Sequence, residues 1–163
     1  MISMKILDVK SFMSSLLIHS VFDDYLLCEL DITTFSQFHV SGKLNKEWFT
    51  NDELEELEDY SNWIEIKPFA FQLMKGSKTP QFIKIVLQFQ GKNTQKILDE
   101  MKLPFKKEDV NGLYLNVRYE HNELHIITGT SLRTFTLDKS LEHEWDSYVK
   151  NFLKENSISY EEI

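Results

Sequence analysis

Apolar residues recur every three or four positions near both ends of the chain, the spacing that buries one stripe of a helix. The first stripe consists of Val9, Phe12, Met13, Leu16 and Leu17. Asp8 precedes this stripe and can cap the first turn, so a helix is predicted from there to His19. The second stripe runs from Leu141 to Leu153, and Ser140 in front of it predicts another capped helix.

Alternation of apolar and polar residues predicts strands with one buried face. The predicted strands with this pattern are 4–7, 26–32, 81–89, 113–119 and 124–128. Shorter apolar runs predict further strands at 38–40, 48–49, 63–66 and 132–137. His121-Asn122 separates two of the alternating runs and is typical of a hairpin turn, so the last third of the chain is predicted to be a β-meander.

Local signals place the remaining elements. Thr50 and Glu53 have the spacing of a capping box, which predicts an acidic helix over 52–60. Pro68 suits the first turn of a helix that Gly76 would close, and a further amphipathic helix is predicted over 94–102. The tail SISYEEI is expected to lie over the surface or to fray.

The order of these elements predicts one α+β domain over residues 1–163, with a largely antiparallel sheet and amphipathic helices. The order strand, helix, three strands occurs twice, over 4–49 and over 81–137. Residues 50–80 are inserted between the two units, and a helix is appended after the second. We therefore expect two pseudo-repeated units within the domain.

Composition narrows the class of protein. Of the 163 residues, 42% are hydrophobic and 27% are charged, which excludes a disordered chain and a membrane-embedded one. The opening MISMKILDVK has no long apolar run, so a cytoplasmic domain without a membrane partner is expected. The lone Cys28 excludes an internal disulfide and a cysteine-based zinc site.

Positive charge is concentrated in the middle of an acidic chain. The segment Lys67–Lys107 carries a net charge of +7, whereas the whole chain carries −8, so the remainder carries −15. Such asymmetry is typical of a surface that meets an anion, although facing or solvated charge runs give the same pattern. The candidate anion-binding residues are Lys67, Lys75, Lys78, Lys84, Lys92 and Lys96. The segment contains no arginine, which favours nonspecific over base-specific contacts.

Motifs that carry chemistry are weak in this sequence. The stretch from Gly76 to Thr79 resembles part of a phosphate loop, but Phe71 stands where its first glycine belongs. His121 and His125 flank a predicted turn, so their spacing does not predict a metal site, and His19, His39 and His143 are isolated. No catalytic, cofactor-binding or metal-binding residue is therefore assigned, and the sequence favours a non-enzymatic domain. An enzyme with a site assembled from scattered residues is the weaker alternative.

Several long segments resemble a known family. MKILDVKSFMSSLL, IKPFAFQLMKGSKTPQFIKIVLQF and EDVNGLYLNVRYE are similar to a family of uncharacterised bacterial proteins, found chiefly in clostridia-related Gram-positive bacteria. That family is a domain of unknown function. The resemblance implies an intact cytoplasmic domain and carries no activity, cofactor or catalytic residue.

The doubled order of elements is also similar to one domain of the DNA sliding clamps, which implies DNA as an anionic partner. The leading hypothesis is thus a binding or scaffold domain, clamp-like in architecture. It would contact an anionic partner such as nucleic acid through Lys67–Lys107. The alternative is a protein–protein interaction module that uses the acidic helix near 52–60 or an exposed sheet edge.

Overall fold

Eight strands form one antiparallel sheet in the computed structural model, which describes all 163 residues. The strands are β1 (Ser3–Ile6), β2 (Tyr25–Thr33), β3 (Gln37–Ser41), β4 (Ser61–Asn62), β5 (Phe82–Phe89), β6 (Val110–Glu120), β7 (Glu123–Leu132) and β8 (Tyr160–Glu162). The helices are α1 (Val9–Leu17), α2 (Asn51–Leu54), α3 (Trp63–Met74), α4 (Gly91–Glu100) and α5 (Ser140–Glu155). The predicted α+β class with an antiparallel sheet is confirmed.

The sheet has the strand order β3-β2-β5-β6-β7-β1-β8, with β4 paired to one end of β2. In β5 every second side chain is buried, as the alternation predicted, and the others are half-buried. The buried side chains of the strands join those of four helices, α1, α3, α4 and α5, in one apolar core. The helices therefore cover one face of the sheet, and we call the opposite face the open face.

Helices α1 and α3 pack side by side with opposite chain directions. At one end, the buried Trp63 of α3 donates its indole N–H to the carbonyl of Leu16, at 2.9 Å. At the other end, Val9 of α1 and Phe71 and Met74 of α3 line the same cavity. The indole hydrogen bond thus joins the two helices at one end, whereas a cavity lies between them towards the other.

Residues 63–66 were predicted as a strand, and that prediction is wrong. They form the first turn of α3, in which Trp63 is fully buried, and the buried positions continue with Ala70 and Met74 at helical spacing. A run of four residues is too short to distinguish the two periods. Pro68 consequently lies inside the helix rather than in its first turn.

The last of the three strands that were predicted to follow the helix in each repeat does not form. Residues 46–48 make a short 3-10 helix, and β7 ends at Leu132 without another strand before α5. The two units also differ in the sheet, because β5 and β6 are neighbours whereas three strands separate β1 from β2. The repeated order of elements in the sequence therefore does not correspond to two equivalent sets of paired strands in the sheet.

Three further predictions can be compared with the structure. The capping box at Thr50 is present, but it begins a helix of only four residues, α2. The tail lies at the surface and does not fray, because Tyr160–Glu162 pairs with β1 and Ile158 is buried. His121 and Asn122 both have positive φ, at 52° and 63°, and form the predicted hairpin turn between β6 and β7.

None of the five helices is both long and apolar enough to cross a membrane.

Candidate binding groove

An apolar groove lies between α1 and α3. Its floor and walls are formed by Val9, Met13 and Leu17 of α1 and by Phe71 and Met74 of α3, and its volume is about 290 Å³. The three α1 side chains are only partly buried by the core beneath them. The stripe that the sequence assigned wholly to the core therefore has one margin open to solvent.

The solvent side of α3 continues this apolar surface. Ile64 is 50% exposed and Phe71 is 37% exposed, and Pro68 is exposed between them. These residues are four and three positions apart, so they form one ridge along the helix. Large apolar side chains joined in a stripe, rather than scattered, are typical of a contact surface.

A short loop with two lysines closes one end of the groove. Lys75, Gly76, Ser77 and Lys78 all border it, directly after α3. Gly76 has φ +148°, which strains any residue with a Cβ, so this turn favours glycine. Lys75 and Lys78 are exposed, and neither takes part in an ion pair.

Two of the other candidate lysines are engaged within the fold. Lys67 lies 2.6 Å from a carboxylate oxygen of Asp23, and the two side chains are only 12% and 17% exposed. Its ammonium also donates to the carbonyl of His19. Lys84 lies on the open face of the sheet and pairs with Glu29 at 3.1 Å.

Lys92 and Lys96 lie far from the groove. They are exposed on α4, which follows the last residue of β5, whereas Lys75 and Lys78 precede its first residue. An eight-residue strand is about 25 Å long. The six candidate lysines therefore do not form one basic surface, and only Lys75 and Lys78 share the margin of an apolar groove.

The open face of the sheet carries a line of ionisable side chains that crosses seven strands. Directly paired residues in successive strands form it: His39, Asp31, Lys84, Arg118, His125, Lys5 and Glu161. Carboxylates beside the line neutralise its cations, since Lys5 pairs with Glu123 and Arg118 with Glu120, each at 2.9 Å. Phe82 lies 5.3 Å from the Arg118 guanidinium. The open face is thus mixed in charge.

One cluster on this face has the atoms of a cation site. Oxygen and nitrogen atoms of Glu29, Asp31 and His39 lie within 4.8 Å of one another. His39 Nδ1 is 2.6 Å from Asp31, and this hydrogen bond is the main cause of the lowered pKa of that carboxyl. The Lys84 ammonium already neutralises Glu29. His39 was treated as isolated in the sequence, but the hairpin centred on Phe35 pairs it with Asp31.

Cys28 offers no reactive thiolate near neutral pH. Its side chain lies beside Gln88 on β5, and burial raises the pKa of the thiol from 9.0 to about 12. The negative charge of Glu29 acts in the same direction. A thiol with so high a pKa is protonated at neutral pH and is a weak nucleophile.

The fold and the groove define an α+β domain with one helix-covered sheet face and an apolar cleft between two of its helices. The chain belongs to a family of unknown function, DUF5721, whose model matches residues 15–161. The prediction that the chain belongs to a family of unknown function is therefore confirmed. No curated protein and no solved structure matched the chain.

Proposed function

We propose that the protein is a non-enzymatic binding domain that holds an acidic, partly apolar segment of another protein in the groove between α1 and α3. One observation carries this proposal. Lys75 and Lys78 lie at the end of an apolar groove, exposed and without ion-pair partners. Of the six lysines predicted to bind an anion, the proposal uses only these two.

The chemistry of the groove suits a partner with two kinds of side chain. Apolar side chains of the partner would lose water against Met13 and Phe71, which supplies most of the affinity. Carboxylates next to them would meet the ammonium groups of Lys75 and Lys78, which orients the partner and speeds association. The net charge of −8 repels acidic segments from the molecule as a whole, so their binding here depends on the local positive charge of Lys75 and Lys78.

A nucleic-acid partner has less support. Nonspecific binding of a phosphate backbone draws on several cations along a surface. Lys67 and Lys84 already have carboxylate partners, and Lys92 and Lys96 lie at the other end of β5. A clamp-like role would further draw on the repeated units, whose third strands are absent from the sheet.

Peptide display tests the proposal. A library of random peptides of about 16 residues, long enough for four turns of helix, is selected on immobilised protein at low salt. We expect recovered peptides to be acidic and to contain apolar residues. The double variant K75E/K78E should weaken their binding at least about tenfold, measured by fluorescence polarisation. The matched control K92E/K96E makes the same change of charge on α4 and should stay within about twofold of the unmodified protein.

Three outcomes would contradict the proposal. One is a selection that yields no binding peptide. Another is a set of peptides that bind K75E/K78E as tightly as the unmodified protein. The third is a single-stranded oligonucleotide that binds in a manner dependent on Lys75 and Lys78 while no peptide does, which would make nucleic acid the partner.

A further inference from the structure

We infer that the segment held in the groove is an amphipathic α-helix that lies along α3, an inference that rests on the proposed function. The groove runs between two helices packed in opposite directions, and Phe71 lines it. Ile64 and Pro68 lie on the same side of α3 as Phe71 and extend this exposed apolar ridge beyond the groove. Lys75 continues this ridge four residues after Phe71. From Ile64 to Lys75 the ridge is about 16 Å long, the length of three turns of helix.

The elements around the groove favour a helical partner over an extended one. Its floor and walls come from α1, α3 and the loop after α3, together with side chains of β5 and β6, and no edge strand borders it. An extended segment bound there would leave its backbone N–H and C=O groups without partners from a sheet. A helix satisfies its own backbone groups and presents only side chains, so it fits an apolar groove of this kind.

The size of the groove favours a macromolecular partner that inserts a few side chains over a small-molecule ligand. Its volume of about 290 Å³ lies at the lower limit of the range for pockets that bury a drug-sized ligand. Side chains spaced three and four residues apart on one helix face can enter it in succession, as the ridge of α3 is itself spaced. The expected partner sequence therefore has apolar residues at i, i+3 or i+4, and i+7, with Asp or Glu at the end nearest Lys75 and Lys78.

Proline substitution in the selected peptides tests the helix directly. One proline at the centre of such a peptide should weaken binding at least about tenfold, because it breaks a helix but not an extended segment. One proline at the first helical position is the control and should change the affinity less than about twofold. Circular dichroism of the peptide should show a gain of helix on binding.

Two exposed phenylalanines on α3 provide a matched pair on the protein. Phe71 lines the groove, whereas Phe69 is 66% exposed and does not line it. We expect Phe71→Ser to weaken binding of the selected peptide at least about fivefold and Phe69→Ser less than about twofold. Thermal unfolding of both variants checks that they are folded.

The results separate this inference from the proposed function. Peptides that depend on Lys75 and Lys78 but tolerate a central proline overturn the helix and leave the binding function intact. Peptides that bind the Phe71 and Phe69 variants equally do not lie in the groove, which overturns the proposed function as well. A selection without lysine-dependent peptides overturns the function itself. Loss of binding with central proline and with Phe71→Ser alone supports both.

Discussion

Replacing Trp63 with alanine should lower the free energy of unfolding by about 3–5 kcal/mol, the usual cost of deleting a buried tryptophan side chain. The side chain is fully buried, and its indole N–H satisfies the carbonyl of Leu16. Alanine would leave a cavity between α1 and α3 and a buried carbonyl without its donor. Urea unfolding followed by far-UV circular dichroism measures the change, with the slope compared between proteins.

Trp48 supplies the control for this substitution. It is 83% exposed, so Trp48→Ala should change the stability by less than about 0.5 kcal/mol. If Trp63→Ala is too unstable to purify, Trp63→Phe keeps one aromatic ring but removes the N–H donor and the volume of the second ring, at a cost of about 1–3 kcal/mol. A loss for Trp63→Ala no greater than that for Trp48→Ala would show that the indole does not join the two helices.

Replacing Lys67 with methionine should destabilise the protein by about 2–3 kcal/mol. Removing one partner of a buried ion pair costs about 3–5 kcal/mol, and this pair retains some exposure to water. Methionine preserves much of the apolar stem but leaves the Asp23 carboxylate and the His19 carbonyl without the ammonium. Stability should partly recover in the double variant Lys67→Met/Asp23→Asn, because the unpaired charge is then gone.

Lys84→Met is the control for Lys67→Met. The Lys84–Glu29 pair is 40% and 38% exposed, so its loss should cost less than about 1 kcal/mol. Lys67→Met should also keep its affinity for the selected peptides, since the ammonium of Lys67 is held by Asp23. Equal losses of stability for the two variants, or loss of peptide binding without loss of stability, would contradict a structural role for Lys67.

Much of the fold could be predicted because its signals are local. The alternation in 81–89 and the helical stripe in 9–17 each repeat over enough residues to fix both the period and the buried face. The Asp8 side chain accepts from the backbone N–H of Ser11, as its position before the stripe predicts. Predictions from short runs failed. Residues 63–66, for example, form a helical turn in which Trp63 is buried against α1.

The site could be predicted only in part, because it depends on distances between elements that are remote in sequence. The excess of lysines in 67–107 is visible in the sequence, but the strand β5 divides that segment between two ends of the sheet. Nothing local shows that Asp23 pairs with Lys67, 44 residues away. The groove could not be predicted, because its α1 residues have the same spacing as a fully buried stripe and only the structure shows that Phe71 is exposed beside them.

Nuclear magnetic resonance mapping of the binding surface tests the central claim most directly. The tightest peptide from the selection is added to ¹⁵N-labelled protein, and the amide shifts are followed. We predict that the largest changes lie in α1, in α3 and in the loop of residues 75–79. Largest changes on the open face of the sheet, on α4 or along β3, with α1 and α3 unaffected, would contradict the account.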